Sequence, residues 1–268
     1  MANTDPVNLD FRRGVSDFTK ALGFLTQIPL ADREEGAAVR PDFRSAAWTF
    51  PVVGVVVGFG GGIVYALAIG VGLAPMLAAA LAVTATVLLT GAIHEDGLGD
   101  TVDGFGGGKT STAKLEIMRD PKIGVYGATA LVLSILLRVT AIEAFAERGA
   151  FAVLLILIAA ESISRAGLVK MWHDLPAARV DGLSKDTGSP DGRATTTALG
   201  VAAVIVALTS IPAAGIWAAL VASAATAAAV LVFTGICRNQ IGGQTGDTLG
   251  AVQQVAVVTF LVLIAVFT

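Results

Sequence analysis

The sequence is dominated by long apolar runs, and these constrain its fold more than any other feature. Apolar runs of about 17 to 25 residues are long enough to cross a bilayer as helices. With 54% hydrophobic and only 15% charged residues, the chain is too apolar for a soluble globule. We therefore predict an all-α, polytopic bundle of transmembrane helices. The runs give about seven candidate spans: Ala46–Gly70, Leu73–His94, Val125–Ala146, Ala150–Lys170, Thr195–Ile211, Ala213–Arg238 and Ala251–Thr268.

The distribution of charge predicts the orientation of this bundle. If the chain starts in the cytoplasm, the polar segments between the spans all fall on one side, and only Arg148 lies in a turn on the other side. Lysine and arginine are enriched in cytoplasmic loops. We therefore predict an N-in, C-out protein of the cytoplasmic (inner) membrane of a bacterium or archaeon. It would be surrounded by membrane lipid, with its active face in the cytoplasm.

Charge and cysteine content exclude two classes of site. The net charge of −3 and the scattering of basic residues among acidic ones exclude a basic surface for nucleic acid. Cys237 is the only cysteine, so an intrachain disulfide and an all-cysteine metal site are both excluded.

The N-terminal part of the chain differs from the rest. We predict a cytoplasmic segment over residues 1–45 and a membrane-embedded catalytic domain over residues 46–268. Charges are spread through residues 1–29 without a long apolar core, so this stretch is not a signal peptide. Asp17–Leu30 is amphipathic, which predicts a helix that lies in the interface or folds back against the bundle.

A glycine recurs every four residues in the first predicted span. Gly54, Gly58 and Gly62 leave one helix face without side chains, so a neighbouring backbone can approach closely. The pattern predicts close helix packing, either within one chain or in a homo-oligomer.

Three acids mark the point where the second predicted span reaches the cytoplasmic face. Asp96, Asp100 and Asp103 are spaced to lie on one face of a helix. Carboxylates this close repel one another, and they suit Mg²⁺, or Mn²⁺ in its place, together with substrate phosphates. The spacing therefore predicts a metal site. Glu95 points about 100° away from Asp96, and a histidine such as His94 at a span end is more often interfacial than a ligand.

Basic residues beyond the acids predict contacts to an anionic substrate. Arg119 and Lys122 follow in the same polar segment and could hold phosphate oxygens, although the cytoplasmic bias of positive charge alone also places basic residues there. Arg165 lies about one turn inside the fourth predicted span, where a charge is costly unless it pairs, snorkels or lines a cavity. Arg138 and Glu143 have no assigned role.

A glycine-rich segment interrupts the apolar pattern before the last predicted span. Gly242–Gly250 suits a loop that binds an anion through backbone N–H groups, and a plain re-entrant turn is the alternative. Gln244 is a candidate substrate contact. Asp247 is a candidate metal ligand or base.

Several of these motifs occur together and in order along the chain. They are Phe24-Leu25-Thr26-Gln27-Ile28-Pro29, Phe50-Pro51-Val52-Val53-Gly54, Asp96-Gly97-Leu98-Gly99-Asp100-Thr101-Val102-Asp103-Gly104, Ile117-Met118-Arg119-Asp120, Ser164-Arg165 and Gly242-Gly243-Gln244-Thr245-Gly246-Asp247-Thr248-Leu249-Gly250. As an ordered set they resemble the cobalamin synthase family, the adenosylcobinamide-GDP ribazoletransferases. The segment from Ala178 to Arg193 matches that family only weakly.

The resemblance implies a Mg²⁺-dependent membrane enzyme. It would join α-ribazole, or its 5′-phosphate, to adenosylcobinamide-GDP and give adenosylcobalamin, or its 5′-phosphate, plus GMP. In a mechanism that fits the residues, a ribose 5′-hydroxyl attacks the phosphorus attached to the cobinamide arm. The predicted roles are metal binding by Asp96, Asp100, Asp103 and Asp247, proton transfer by Asp247 or Asp103, and substrate binding by Arg119, Lys122, Arg165 and Gln244.

Two other classes of protein fit part of the pattern. The CDP-alcohol phosphotransferases run parallel chemistry with aspartates on membrane helices, but the Ala-Arg part of their signature is absent here. A secondary transporter also holds charges within its spans. The charged motifs of this chain lie on one face, however, and its two halves show no inverted repeat.

Overall fold

The computed structural model describes residues 6–30, 42–179 and 187–267, and their side chains from Arg12 onward. The predicted all-α fold is confirmed, since these residues form ten α-helices and no strand. The helices are α1 (Pro6–Leu25), α2 (Phe50–Gly70), α3 (Pro75–Thr90), α4 (Ile93–Gly107), α5 (Ser111–Ile117), α6 (Val125–Ala144), α7 (Ala150–Asp174), α8 (Gly192–Ala214), α9 (Ile216–Ile241) and α10 (Gly246–Ala265).

The number of candidate membrane spans agrees with the prediction. Six helices are long and apolar enough to cross a bilayer, namely α2, α6, α7, α8, α9 and α10. The pair α3 and α4 meets the same criterion together, although it is bent by 90°. The prediction of about seven spans is therefore confirmed.

The bend between α3 and α4 comes from two residues with left-handed backbone. Gly91 and Ala92 have φ angles of 65° and 60°, and their N–H groups donate to carbonyls in the last turn of α3. The continuous span predicted over Leu73–His94 is therefore wrong. The helix stops at Thr90, and α4 leaves in a new direction.

Two other predicted boundaries differ from the structure. A break was expected at Pro212, but α8 continues through this residue to Ala214. The turn lies instead at Gly215, whose φ of 91° favours glycine. The last helix begins at Gly246, within the predicted glycine-rich loop, because Thr245 and Thr248 form a capping box there.

Taken together, α3 and α4 carry the chain from one end of the bundle to the other. Phe50 at the start of α2 lies beside Trp172 at the end of α7, with ring centroids 6.2 Å apart. Asp96 of α4 lines the same cavity as Trp172. Since α4 thus reaches the end of the bundle where α2 began, the bent pair completes a crossing. The N-in, C-out orientation itself stays a prediction.

Helix α7 is the centre of the bundle, with 17 of its 25 residues buried. The glycine face of α2 packs against it, so the prediction of close helix packing is confirmed and the partner lies within the chain. A side chain at Gly54 would collide with the backbone at Glu161, and a Cβ atom at Gly58 would lie 2.5 Å from the Leu157 carbonyl oxygen. At this separation only glycine fits.

The N-terminal helix folds back against the bundle, one of its two predicted positions. Ala21 and Leu25 of α1 are buried. Beside them lies an aromatic cluster formed by Phe24, Phe43, Phe50 and Trp172. Ring centroids in this cluster are 4.7 Å apart for Phe24 and Phe43, 5.2 Å for Phe43 and Phe50, and 6.1 Å for Phe43 and Trp172. The domain boundary near residue 45 stays a prediction, and residues 31–41 lie outside the described ranges.

Candidate active site

Two glycines bring the predicted acids of α4 and α10 together. A Cβ atom at Gly97 would lie 2.5 Å from the carbonyl oxygen of Asp247, and one at Gly250 would lie 3.1 Å from the carbonyl oxygen of Ile93. The backbones of α4 and α10 are therefore in direct contact. As a result, Asp96, which precedes Gly97, lies beside the first turn of α10.

The four predicted metal ligands form one acid cluster, which we define as Asp96, Asp100, Asp103 and Asp247. The charges of the other three all act on Asp100. Asp96 is exposed, whereas Asp100 and Asp247 are partly buried. Two arginines face the cluster, since both Arg179 and Arg119 act on Asp247. The acids still outnumber these cations, so the cluster retains an excess of negative charge.

Asp103 has a structural task that its spacing alone did not indicate. Its carboxylate accepts hydrogen bonds from the backbone N–H groups of Gly124 (2.7 Å) and Gly127 (2.9 Å). These groups belong to the first turn of α6, where N–H groups lack partners within the helix. Asp103 therefore joins α4 to the start of α6, and each of its oxygens already has one partner.

Arg179 forms an ion pair with Asp247, and sequence reasoning missed it. An Arg179 guanidinium nitrogen lies 3.4 Å from an Asp247 carboxylate oxygen, and another donates to the Leu115 carbonyl at 3.0 Å. A backbone pairing holds this segment in place, because Gln244 donates to Pro176 and accepts from Ala178. Arg179 lies in a polar segment that matched the family weakly, and nothing in the sequence distinguishes it from the other basic residues there.

The predicted substrate contacts occupy different environments. Arg119 is exposed and, together with Asp96 and Asp100, lines a cavity of about 360 Å³, which we call the second cavity. Lys122 is exposed nearby but does not line that cavity. The side chain of Gln244 is fully buried, and its amide has no hydrogen-bond partner among the described residues.

Arg165 is completely buried and pairs with Glu161 one turn earlier in α7. It belongs to a network of buried polar side chains that connects four helices. Gln253 of α10 donates to Ser164 of α7 at 3.1 Å, and Gln254 donates to Gln253 at 3.0 Å. Arg165 lines neither of the two cavities that border the acid cluster, so its predicted role as a phosphate ligand receives no support from this position.

The same buried network includes Glu95 and Arg138, neither of which was assigned from the sequence. A guanidinium nitrogen of Arg138 lies 3.0 Å from a carboxylate oxygen of Glu95, and Gln254 donates to the same oxygen at 3.1 Å. Two features of the sequence point to a buried pair of this kind. Arg138 is a charge within an apolar span, and Glu95 points away from Asp96 on the helix. The pairing itself joins residues 43 positions apart.

The acid cluster borders a first cavity of about 400 Å³ at the end of the bundle. Its polar lining includes Asp96 of α4, Asp247 of α10 and Arg179. The rest of its lining is mostly apolar and aromatic and includes Phe24 of α1 and Trp172 of α7. Asp96 lines both the first and the second cavity, so the two cavities meet at the acid cluster.

The acid cluster fits a hard cation that a substrate helps to bind. No group of three acidic, histidine or cysteine side chains in the described ranges could hold a metal by itself. Mg²⁺, however, is commonly bound through one or two carboxylates, substrate phosphates and water. Asp96 and Asp247 meet across the contact between α4 and α10, and their oxygens suit such a cation.

Comparisons with known proteins agree with one another. A family model described as cobalamin-5-phosphate synthase matches residues 17–265. Three similar proteins are called adenosylcobinamide-GDP ribazoletransferase. That of Azorhizobium caulinodans is 41% identical over 95% of this chain and 97% of its own. Those of Bradyrhizobium diazoefficiens and Mesorhizobium japonicum are 42% and 43% identical, over 96% and 97% of this chain and 95% and 96% of their own. No solved structure matches the chain.

Proposed function

The chain belongs to the cobalamin-5-phosphate synthase family, and on this premise we propose that it is an adenosylcobinamide-GDP ribazoletransferase. Its substrates would be adenosylcobinamide-GDP and α-ribazole, or α-ribazole 5′-phosphate. Its products would be adenosylcobalamin, or its 5′-phosphate, and GMP. The single observation that carries the proposal is the acid cluster at the junction of two cavities. Transfer of a phosphoryl group between two substrates needs such a junction.

In the proposed mechanism, Asp96, Asp100 and Asp247 would hold Mg²⁺, or Mn²⁺ in its place, together with substrate phosphates. When bound, the cation would neutralise the diphosphate and stabilise charge that develops on the leaving oxygen. The chain's own contribution is to orient both substrates at the acid cluster. Arg179 and Arg119 are placed to bind phosphate oxygens on its two sides.

Proton transfer would fall to Asp247 rather than Asp103. The attacking group must be a ribose hydroxyl that is free in both acceptors, which rules out the expected 5′-hydroxyl because α-ribazole 5′-phosphate carries its phosphate there. This hydroxyl forms a new bond to phosphorus, the bond between that phosphorus and GMP breaks, and the hydroxyl proton goes to a carboxylate. Asp247 lines the first cavity. Asp103 is buried, and both its oxygens are bound by the start of α6.

The membrane setting follows from the helices and the family. The protein is a multi-pass membrane protein by the length and composition of its helices, and the similar proteins are bacterial. We place the acid cluster on the cytoplasmic face of the inner membrane, because the polar segments with most lysine and arginine lie at that end. A homo-oligomer stays a prediction, and the glycine face of α2 does not support one because α7 fills it.

The experiment that tests the proposal measures GMP release by the purified protein in detergent. Adenosylcobinamide-GDP and α-ribazole are supplied with and without Mg²⁺, for the wild type and Asp100→Asn. We expect metal-dependent GMP release that Asp100→Asn abolishes. Glu147→Gln, an exposed acid at the other end of the bundle, is the matched control. Absence of GMP release under every metal tested would refute the proposed reaction.

A further inference from the structure

We propose that the apolar side of the first cavity binds the base of the acceptor nucleoside, and that it selects a planar aromatic base with few polar atoms, such as a benzimidazole. This inference rests on the proposed function and adds to it which substrate enters which cavity. The subsite would consist of Phe24 and Leu25 of α1, Leu168 and Trp172 of α7, and Leu249 of α10.

The apolar side of the cavity is rigidly supported. Leu25, Leu168 and Trp172 are each at most 4% exposed, so packing fixes their positions. Behind them, Phe43 contacts the rings of both Phe24 and Trp172 within the aromatic cluster. A flat ring that enters the cavity therefore meets aromatic and aliphatic groups that are already ordered, so little conformational entropy is lost on binding.

The polarity of the lining distinguishes between the bases of the two substrates. In the described part of the chain, α1 and α7 contribute only apolar or aromatic side chains to this cavity. Guanine carries several donors and acceptors, and their burial without partners would cost about 2–7 kcal/mol per group. A benzimidazole joined to ribose has one free ring nitrogen. His94 lines the cavity, and its Nε2 has no hydrogen-bond partner among the described residues, so it can satisfy that nitrogen.

The size of the cavity points to the same substrate. A volume of about 400 Å³ lies near the lower end of the range for small-molecule cavities. It suits a nucleoside, whereas a corrinoid that carries a nucleotide arm is several times larger. The larger donor must therefore lie mainly outside the first cavity.

The donor would bind in the second cavity. It shares Asp96 with the first cavity and is also lined by Asp100 and Arg119. In-line displacement at phosphorus requires the attacking and leaving oxygens on opposite sides of the transferred group. An acceptor in the first cavity and a GMP leaving group towards Arg119 would meet this requirement at the acid cluster.

The test uses Trp172 as a fluorescent reporter of the subsite. The chain has three tryptophans, and Trp48 and Trp217 line neither cavity. In the full-length Trp48→Phe/Trp217→Phe protein, Trp172 is then the only tryptophan. We expect α-ribazole, without donor or metal, to quench its fluorescence saturably, and GMP at the same concentrations to leave it unchanged.

A variant of the subsite connects binding to turnover. Phe24→Ala should weaken α-ribazole binding at least about fivefold, as expected for loss of one base-stacking contact. The KM for α-ribazole should rise by the same factor, while the KM for adenosylcobinamide-GDP stays within twofold. Phe59→Ala, which removes a 51% exposed phenylalanine from α2, is the matched control and should change none of these values.

Any of three results would overturn the inference. The first is quenching by GMP instead of α-ribazole, and the second is a Phe24→Ala variant that raises the KM of the donor alone. The third is a Phe24→Ala protein that binds α-ribazole as tightly as the wild type. Failure of the proposed function is a separate result. It would appear as absent GMP release by the wild type, whereas the fluorescence titration needs no turnover.

Discussion

Glu95 and Asp96 are adjacent in α4 but have opposite surroundings. Glu95 is 7% exposed and is held by Arg138 at 3.0 Å and by Gln254 at 3.1 Å. Asp96 is exposed, lines both cavities and has carboxylates as near neighbours. A turn of about 100° along the helix separates them. The comparison teaches that the two faces of α4 carry charge differently. The carboxylate that points to the core is paired with a cation, whereas the face towards the cavities carries an excess of negative charge.

The inward charges follow the physical rule for buried ions. A buried charge is tolerated when it is paired and hydrogen-bonded, and removal of one partner leaves the other uncompensated. Glu161 and Arg165 repeat the arrangement of Glu95 and Arg138 within α7. The acid cluster departs from the rule, because among the described residues its four carboxylates face two arginines, Arg179 and Arg119. A site that binds a cation needs such an excess of negative charge.

The largest expected effect is on the inward face. Arg138→Leu leaves Glu95 buried without its cation and should lower the free energy of unfolding by about 3–5 kcal/mol. Unfolding in detergent, followed by circular dichroism, measures this loss. Arg193→Leu, an exposed arginine in the first turn of α8, is the control and should change little.

A double variant sharpens this test. Glu95→Leu combined with Arg138→Leu removes both charges and should recover most of the stability, since apolar pairs often replace buried ion pairs without loss. If Arg138→Leu alone had wild-type stability, the inward charges would not be a structural pair.

On the outward face, the expected loss is of activity rather than stability. Asp96→Asn should reduce kcat/KM for GMP release about 100-fold or more. Its free energy of unfolding should stay equal or rise slightly, because one like charge leaves the acid cluster. Steady-state kinetics together with the same unfolding measurement separate the two effects. Activity within a few fold of wild type would remove Asp96 from the metal site.

A change at the contact between α4 and α10 should lower both stability and activity. Gly97→Ala places a methyl group against the Asp247 carbonyl, which should cost about 1–3 kcal/mol of stability and lower activity by displacing Asp96 from Asp247. Gly235→Ala is the matched control, because a Cβ atom there meets nothing within 4 Å in the middle of α9. Equal behaviour of the two variants would mean that the helices tolerate separation.

The smallest effect is expected at Arg179. Arg179→Gln should lower kcat/KM about tenfold, the loss of one charge-assisted contact to phosphate at the acid cluster. The comparison is made under saturating Mg²⁺, with Arg193→Gln as the control. A loss larger than that of Asp96→Asn would shift the centre of the site from the acids to the arginines.

Local sequence patterns predicted the spans and the acid cluster. Uninterrupted apolar runs specify membrane helices because backbone hydrogen bonds must close within each helix in lipid. The spacing of Asp96, Asp100 and Asp103 placed them on one side of one helix. Their approach to Asp247 could only be guessed, since it depends on how Gly97 and Gly250 pack in three dimensions.

Long-range contacts account for what the sequence did not predict. The pairing of Arg138 with Glu95 and the ion pair of Arg179 with Asp247 join distant segments, and no periodicity encodes them. The bend before α4 was missed for a different reason. Ala92 adopts a left-handed φ of 60°, which its residue type disfavours, so the apolar run looked continuous.

The burial of Cys237 has a practical consequence for the orientation of the protein. This thiol is the only one in the chain and is fully buried in α9, so a membrane-impermeant maleimide should not label the native protein. Any cysteine introduced at the surface would then report its location without background. Thr112→Cys in α5, which packs against α4, and Glu147→Cys at the opposite end form a matched pair of exposed sites. In intact cells, whichever of them is labelled faces outward.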